Sequence, residues 1–409
     1  MSTSRVAMLS VHTSPLAQPG AGDGGGMNVY VRSVAEALAR AGVACDVLTR
    51  AEHPDQPPIV ELEPGLRVVH LEAGPRAPVP KRALPALLDE LVASAREHLR
   101  CGRNCYDAIH ANYWVSGAVA HRLKHELDVP MVATFHTLAR VKAEVGIVDD
   151  PEPRGRVEAE IVRCADLVVV STADERAALC AAHDADPERI EVIAPGVDHA
   201  LFSPGDRTSA RRRLRLPADR PLLVFVGRIQ ALKGVDVALG CLAALTDQRA
   251  ELVIVGGPSG DDGPDELGRL HDRARELGIE SRVRWVPPVR HDALADWYRA
   301  ADVCLVPSRS ESFGLVALEA AACGTPVVAA NVGGLQTVVD HARTGFLVDG
   351  RAPCDYAEPV ERLLARPDLA ATMSTQAAAR AGRYTWNIAA ARLRRLYSDV
   401  AARALVQCT

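Results

Sequence analysis

Residues 308–329, with the apolar run just before them, restrict the fold of this chain more tightly than any other stretch. Val303-Cys-Leu-Val306 is a short apolar run, Gly314 frees the backbone, Leu315 to Ala322 are good helix formers, and Gly324 and Pro326 close the helix before Val327-Val-Ala329. The pattern reads strand, loop, helix, turn, strand, and it puts a helix start at the carboxyl end of a strand. Free backbone N–H groups and the positive end of the helix dipole then face an anion, a phosphate above all. Glu311 lies just before the helix and Glu319 eight positions later, about two turns at ~3.6 residues per turn, so both carboxylates can face one ligand. One could bind a sugar and the other a ribose. The plainer alternative is a buried amphipathic helix with one solvated glutamate. Against it, Glu319 in an Ala-rich, close-packed helix is a costly buried charge unless something donates hydrogen bonds to it.

The length of 409 residues exceeds what one core usually holds, so two domains are expected. Apolar content of 48% with 24% charged residues is that of a globular protein, and a net charge of −5 argues against nucleic acid as the main partner. The one basic run, Ala210-Arg-Arg-Arg213, reads as a solvated helix face. No window approaches the ~18 apolar residues of a membrane span. Met1-Ser-Thr-Ser-Arg5 runs into a short strand without a signal-like apolar segment, so a cytoplasmic location is expected. The ten cysteines are scattered, and Cys101 with Cys105 lacks the spacing of a zinc site, so reduced thiols are expected throughout.

In chain order, Arg5 to Ser10 reads as a buried first strand. A glycine-rich loop follows, His12-Thr-Ser-Pro-Leu-Ala-Gln18-Pro19-Gly20-Ala-Gly-Asp23-Gly24-Gly25-Gly26-Met27-Asn28, and then a helix over Val29 to Arg40. The glycine spacing is wrong for a dinucleotide fingerprint, and Asp46 opens the next strand instead of closing it. Three consecutive glycines at a helix start suit a substrate-binding turn, where a ligand approaches the backbone closely. Short apolar runs at 66–71, 108–111, 131–134 and 167–171 alternate with helical stretches, the mark of a parallel sheet covered on both faces. Ligands then belong at the strands' carboxyl ends, where His12, Asn112, Tyr113, His136 and Thr137 fall. The Pro/Gly-punctuated stretch Ala194 to Pro204 reads as a linker. Strand–helix alternation restarts at 222–226, 251–255, 283–286, 303–306 and 326–329, and an Ala-rich helix through Ala401 reads as a return to the first domain.

The stretch around Glu311 and Glu319 resembles the signature of the retaining glycosyltransferases called family 4. Phe225-Val-Gly227-Arg228-Ile-Gln-Ala-Leu-Lys233-Gly234 matches that family as well. Through His12-Thr-Ser-Pro-Leu, Gly22 to Tyr30, Gly256-Gly-Pro-Ser-Gly260 and Glu311-Ser-Phe-Gly-Leu-Val, the resemblance extends to the actinobacterial mycothiol-pathway members that transfer N-acetylglucosamine to inositol 3-phosphate. It implies an α/β GT-B architecture, with two doubly wound Rossmann-like domains facing across a cleft: residues 1–200 for the acceptor, 201–386 for the nucleotide sugar, and 387–409 returning to the first domain. The implied catalytic residues are His136, Arg228, Lys233 and Glu311. Gln18, Pro19, Gly26, Arg228, Lys233, Val289, Glu311, Ser312, Phe313, Gly314, Leu315 and Glu319 would bind the donor, UDP-N-acetylglucosamine. His12, Asp23, Gly24, Gly25, Gly26, Met27, Asn28, Lys81, Tyr113, Thr137 and Arg154 would bind the acceptor, the last four of Lys81, Tyr113, Thr137 and Arg154 gripping its phosphate.

No cofactor is required by this chemistry, although the relatives' structural Mg²⁺ would fall near Tyr298, Arg299, Ala301 and Thr325. No partner beyond the two small molecules is needed, and a homodimer is permitted. Asn112 stands where the family has a second histidine, Phe135 where it keeps a small residue, and the segment Val145 to Arg154 is shorter. These departures crowd the acceptor side. They open two alternatives, an antibiotic-pathway enzyme of the same family acting on an aminocyclitol or thiol from a UDP- or GDP-sugar, and an inactive sugar-nucleotide-binding regulator. A sugar-nucleotide epimerase of the same architecture would need no acceptor pocket.

Overall fold

The computed structural model describes residues 4–100, 105–144, 146, 151–183, 185–260 and 263–408. The chain forms two compact units, one from Met1–Ala17, Gly26–Ala194 and Trp386–Thr409, the other from Gln18–Gly25 and Pro195–Thr385. Each is an α/β layer structure.

The first unit carries β1 (Arg5–Leu9), β2 (Ala44–Arg50), β3 (Ile59–Glu63), β4 (Leu66–Leu71), β5 (Ala108–Asn112), β6 (Met131–Thr134), β7 (Leu167–Val170) and β8 (Ile190–Val192). They form one sheet in the order β3-β4-β2-β1-β5-β6-β7-β8. β5, β6 and β7 are buried along their whole length, as the apolar sequences of β6 and β7 require in a sheet covered on both faces; β5 buries His110 and Asn112 as well. The purely parallel sheet expected from the sequence needs one correction: β3 runs antiparallel to β4. Its two glutamates and partial exposure suit a sheet edge, where charge discourages further pairing. Strand order reverses direction between β1 and β5, so the segments leaving these two strands flank a topological switch point.

Helix Gly26–Arg40 buries Tyr30, Val31, Val34, Ala35 and Leu38, and helix Trp386–Ala401 packs against it with Ala389, Ala390, Leu393 and Val400 buried. From the latter helix the fully buried Tyr397 places its hydroxyl 2.6 Å from His110 Nδ1 on β5. A short helix at Ala139–Glu144 was not expected from the sequence.

The second unit carries β9 (Leu222–Val226), β10 (Glu251–Val255), β11 (Val283–Val286), β12 (Val303–Val306), β13 (Val327–Ala330) and β14 (Gly345–Val348), all parallel, in the order β11-β10-β9-β12-β13-β14. β14 extends the sheet beyond the strands foreseen. The switch point here lies between β9 and β12, whose following loops begin at Gly227 and Pro307.

The expectation of ten reduced thiols is corrected. Cys164 and Cys408 are joined by a disulfide, and Cys105 is also disulfide-bonded. Cys164 closes helix Pro151–Cys164, and Cys408 lies on a tail segment that hydrogen bonds hold against it, a proximity that scattered positions in a sequence do not reveal. Cys101 lies outside the described residues.

Candidate active-site residues in each unit

In the second unit the candidates gather where β9 and β12 end. Gly256, just after β10, takes φ +153°, and a Cβ there would stand 1.9 Å from Gly227 O. Only glycine allows these two strand ends to meet backbone to backbone. Arg228 follows, its Nη1 donating to Ser259 Oγ at 3.4 Å, and Gly25 lies against its guanidinium. Lys233 ends a single tight turn, and Gly234 (φ +71°) carries the chain past Pro307, whose carbonyl oxygen would be 2.2 Å from any Cβ. The result is a 2.6 Å ion pair between Lys233 Nζ and Glu311 Oε2, with both side chains about one-fifth exposed at 21% and 19%. Ser308 Oγ donates to the same carboxylate oxygen at 3.3 Å.

Gly334 N donates to Glu311 O at 2.9 Å, fixing the loop from behind. Ser312, Phe313 and Gly314 then lead into helix Leu315–Ala322, with Gly314 left-handed (φ +98°) at its cap and no acidic side chain in its first turn. The helix start therefore keeps its positive end for an anion.

Glu319 is 5% exposed, and both its oxygens are satisfied inside the unit: Oε1 accepts from His291 Nε2 at 2.7 Å and Oε2 from the Tyr298 hydroxyl at 2.9 Å. Burial by itself would lower the pKa of His291, but the charge and hydrogen bond of Glu319, with Asp292 and Asp198 nearby, hold it above its usual value. The sequence demanded a donor for this carboxylate without revealing which. Both donors lie on a distant segment with no motif to mark them. Gln18 donates through Nε2 to Val289 O and, at 3.3 Å, to Pro19 O, while Gly257 N donates to Gly20 O at 3.0 Å. The carbonyl of Val289, one of the expected donor-binding residues, thus already holds Gln18.

In the first unit the candidates come from five separate segments. His12, after β1, stacks on Tyr113 with ring centroids 4.2 Å apart. Arg154 Cζ lies 4.9 Å and Lys81 Nζ 5.9 Å from the same Tyr113 ring. Arg154 Nη2 donates to Thr137 O at 2.7 Å and Oγ1 at 3.2 Å, and Nε donates to Glu158 Oε1 at 2.7 Å across a buried pair. Arg154 Nη1 is buried and has no hydrogen-bond partner among the described residues. Lys81, Tyr113, Thr137 and Arg154 are thus brought together. Glu158, a partner of Arg154, is a member of the cluster that sequence reading missed; its place four residues on in one helix was the available signal.

His136 is half-buried, its ring edge-on to Tyr30 at 4.9 Å. Its Nε2 lies 2.9 Å from Asn112 Oδ1, while Asn112 Nδ2 donates to His110 O at 3.4 Å. That orientation of the amide puts the ring proton on Nε2 and leaves a lone pair on Nδ1. Burial, with a smaller contribution from His110, pushes the His136 pKa down to about 3, so the ring is neutral. Asn112, a departure from the family pattern, is therefore the residue that fixes this tautomer. Tyr113 (φ 77°) and His136 (φ 61°) both hold left-handed backbone, a strain the surrounding hydrogen bonds must sustain.

The loop stretch Asp23 to Asn28 divides between the units: Asp23, Gly24 and Gly25 go with the second, while Gly26, Met27 and Asn28 open the first unit's helix. Asn28 is buried and donates to Thr13 Oγ1 at 2.8 Å and Ser14 O at 2.6 Å, bracing the loop that carries His12. Met27 packs on the core, as does the buried Phe135. Of the shortened Val145 to Arg154 segment, residues 145 and 147–150 lie outside the described residues.

Tyr298, Arg299, Ala301 and Thr325 form a poor donor set for a divalent cation. Tyr298 O already accepts from Ala301 N at 3.1 Å and Thr325 Oγ1 at 2.7 Å, the Arg299 guanidinium is held by Leu201 O and Ser203 O, and the four contribute no carboxylate. No step below runs through a metal there.

The family model described as "Glycosyl transferase 4-like domain" matches residues 25–196, and "Glycosyl transferases group 1" matches residues 206–380. The chain is similar to a protein of Geodermatophilus obscurus named D-inositol 3-phosphate glycosyltransferase, with 50% identity over 93% of this chain and 86% of the relative. A protein of the same name from Thermobispora bispora is 46% identical over 98% of this chain and 95% of the relative. Among solved structures, sucrose-phosphate synthase from Thermosynechococcus elongatus superposes with a TM-score of 0.91 at 35% identity, covering 97% of this chain and 98% of that one. Anabaena HepE, solved with UDP-glucose, shares the fold at a TM-score of 0.77 and 22% identity, covering 97% of this chain and 99% of that one. The doubly wound units have the GT-B architecture, and the chain belongs to the group 1, 4-like family of glycosyltransferases.

Proposed function

We propose that this glycosyltransferase is a retaining, family 4 enzyme that moves N-acetylglucosamine from its UDP donor to inositol 3-phosphate. The observation that carries the acceptor assignment is the gathering of Lys81, Tyr113, Thr137 and Arg154 around one spot, with the buried Arg154 Nη1 still lacking a partner among the described residues. Two cations and two hydroxyls suit a phosphate dianion. The names of the relatives support the same reading.

On the donor side, Arg228, Lys233 and the start of helix Leu315–Ala322 would stabilise the diphosphate as its bond to the sugar breaks, where charge develops and such contacts act most strongly. A diphosphate arriving at Lys233 competes with Glu311 for the ammonium, and the released carboxylate can then accept from a sugar hydroxyl. Gln18, Pro19, Gly26, Val289 and Glu319 are assigned to holding the nucleotide. In a same-face substitution the departing phosphate oxygen takes the proton of the acceptor hydroxyl while the new sugar–oxygen bond forms, so the protein needs no carboxylate nucleophile. Neutral His136 is assigned to the side of the reacting centre, and His12, with the glycines and Asn28 around the first helix start, lines the acceptor.

A second reading has its own support: Glu158 already matches the charge of Arg154, which suits an acceptor without a phosphate, such as an aminocyclitol or a thiol. Rates with inositol 3-phosphate and with inositol, using one accepted donor, separate the two. A large preference for the phosphorylated acceptor is expected. Equal rates, or product with an aminocyclitol or thiol alone, would overturn the acceptor and leave glycosyl transfer standing. Conversion of the donor without any acceptor would indicate an epimerase, and no turnover of any nucleotide sugar a binding protein.

A further inference from the structure

In the first unit the side chains of Cys164, Cys408 and His121 come together, with His125 beside Cys408. His121 and His125 stand four apart on helix Trp114–Leu127 and so share a face. Their Nε2 atoms lie 3.3 Å and 3.1 Å from Cys408 Sγ. The ligand atoms of His121, Cys164 and Cys408 all fall within 4.8 Å of one another.

This meeting is built into the unit. Lys124, fully buried between the two histidines in sequence, donates through Nζ to Cys164 O at 2.6 Å, to Asp166 Oδ1 at 3.1 Å and to Val406 O at 2.8 Å. Asp166 Oδ1 in turn accepts from Val406 N at 2.7 Å. One buried ion pair therefore clamps both backbone polar groups of Val406 and delivers Cys408 to Cys164. Residues 404–408 have no regular structure.

We propose that, when the Cys164–Cys408 disulfide is reduced, these four side chains bind a zinc-class divalent ion, so that disulfide and metal are alternative states of one site. Two thiols and two imidazoles are a common structural zinc set, and the tetrahedral N···S edge for Zn–N of about 2.0 Å and Zn–S of about 2.3 Å is about 3.5 Å, close to the spacings seen here. The steps balance. Two molecules of a small thiol supply two electrons and two protons, the S–S bond breaks, and the thiol leaves as its own disulfide. The metal then displaces the two cysteine protons to solvent, and two thiolates and two neutral imidazoles surround it. A small-molecule disulfide reverses the first step once the metal has left.

The test uses the full chain, freed of metal, either reduced with a phosphine or left oxidised, and titrated with Co²⁺. Reduced protein should take up one equivalent with a thiolate-to-cobalt charge-transfer band and tetrahedral visible bands, both abolished by one equivalent of Zn²⁺. Oxidised protein should show neither. Cys408→Ser should lose the charge-transfer intensity of one thiolate and weaken binding at least about 100-fold. His125→Ala, an exposed position where misfolding is not a concern, should weaken it comparably. No charge-transfer band in the reduced wild type, an unchanged band in Cys408→Ser, or unaltered affinity in His125→Ala would overturn the proposal.

Discussion

The candidate residues of the two units are held in place by opposite means. In the second unit the backbone does the positioning: Gly227 against Gly256, Gly234 against Pro307 and Gly314 at a helix cap place Arg228, Lys233 and Glu311; a Cβ at Gly256 or Gly234 would strike a backbone oxygen, and Gly227 and Gly314 hold positive φ. In the first unit, side chains do it. Tyr113 and His136 keep their bulk in left-handed backbone; Asn112 holds His136, and Arg154 holds Glu158 and Thr137 by hydrogen bonds and charge. Backbone-built geometry leaves a glycine in the sequence at each critical contact. Side-chain geometry leaves only a set of ordinary polar residues spread over separate loops, and it can be redrawn one substitution at a time.

The sharpest way to break this contrast is Arg154→Met. It takes the cation from the buried Glu158 carboxylate and should cost about 3–5 kcal/mol in urea denaturation, with most of the loss recovered by adding Glu158→Gln. A cost below ~1 kcal/mol would mean that the pair does not hold the cluster. Next comes Gly234→Ala, which forces a Cβ toward Pro307 O in left-handed backbone. A loss of about 3 kcal/mol is expected in the same measurement, and a neutral result would dissolve the claim that backbone contact fixes Lys233.

Lys233→Ala should leave stability nearly unchanged, because its pair with Glu311 is partly solvated. It should lower kcat/KM by about 30-fold, or ~2 kcal/mol, if the ammonium meets the leaving diphosphate. Wild-type kinetics would remove it from the donor site.

The smallest effect concerns pH, and its sign differs between the units. Burial pushes the pKa of His110 and of His136 down to about 3, so their contribution is fully present above the ordinary histidine pKa of ~6.5 and is lost as pH falls toward 3. Between pH 6.5 and 5.5 each should cost the first unit about 1 kcal/mol. His291 has a raised pKa, so its contribution to the second unit is fully present below ~6.5 and is lost as pH rises through the folded value. Hydrogen exchange resolved by segment should show protection near His136 falling on mild acidification while protection around His291 does not. Parallel loss in both would refute the difference.

The same contrast explains what the sequence revealed. The apolar runs of β1, β5 to β7, β9, β10, β12 and β13 announced themselves because both faces of those strands are buried. β3 did not, since its edge position mixes charge with apolar residues, and β14 was masked by its glycine and turn-rich approach. Two local motifs marked Lys233 and Glu311 as candidates without foretelling their pairing. That of Glu319 with His291 and Tyr298, of Asn112 with His136, and of Cys164 with Cys408 depends on distant segments meeting, which no local pattern encodes.

Helix Trp386–Ala401 packs on the first helix of the chain and completes the hydrogen bonding of His110 through Tyr397, yet the whole second unit is encoded before it. During synthesis at ~5–20 residues per second, the first unit must wait on the order of ten seconds or more after its other strands have left the ribosome before this helix can dock. Through that interval the part of helix Gly26–Arg40 that packs on Trp386–Ala401 has no cover, while the second unit can already fold. A nascent chain stalled between the two stages should accordingly be a target for chaperones at its amino-terminal half, and the later-made half should be the first to resist protease.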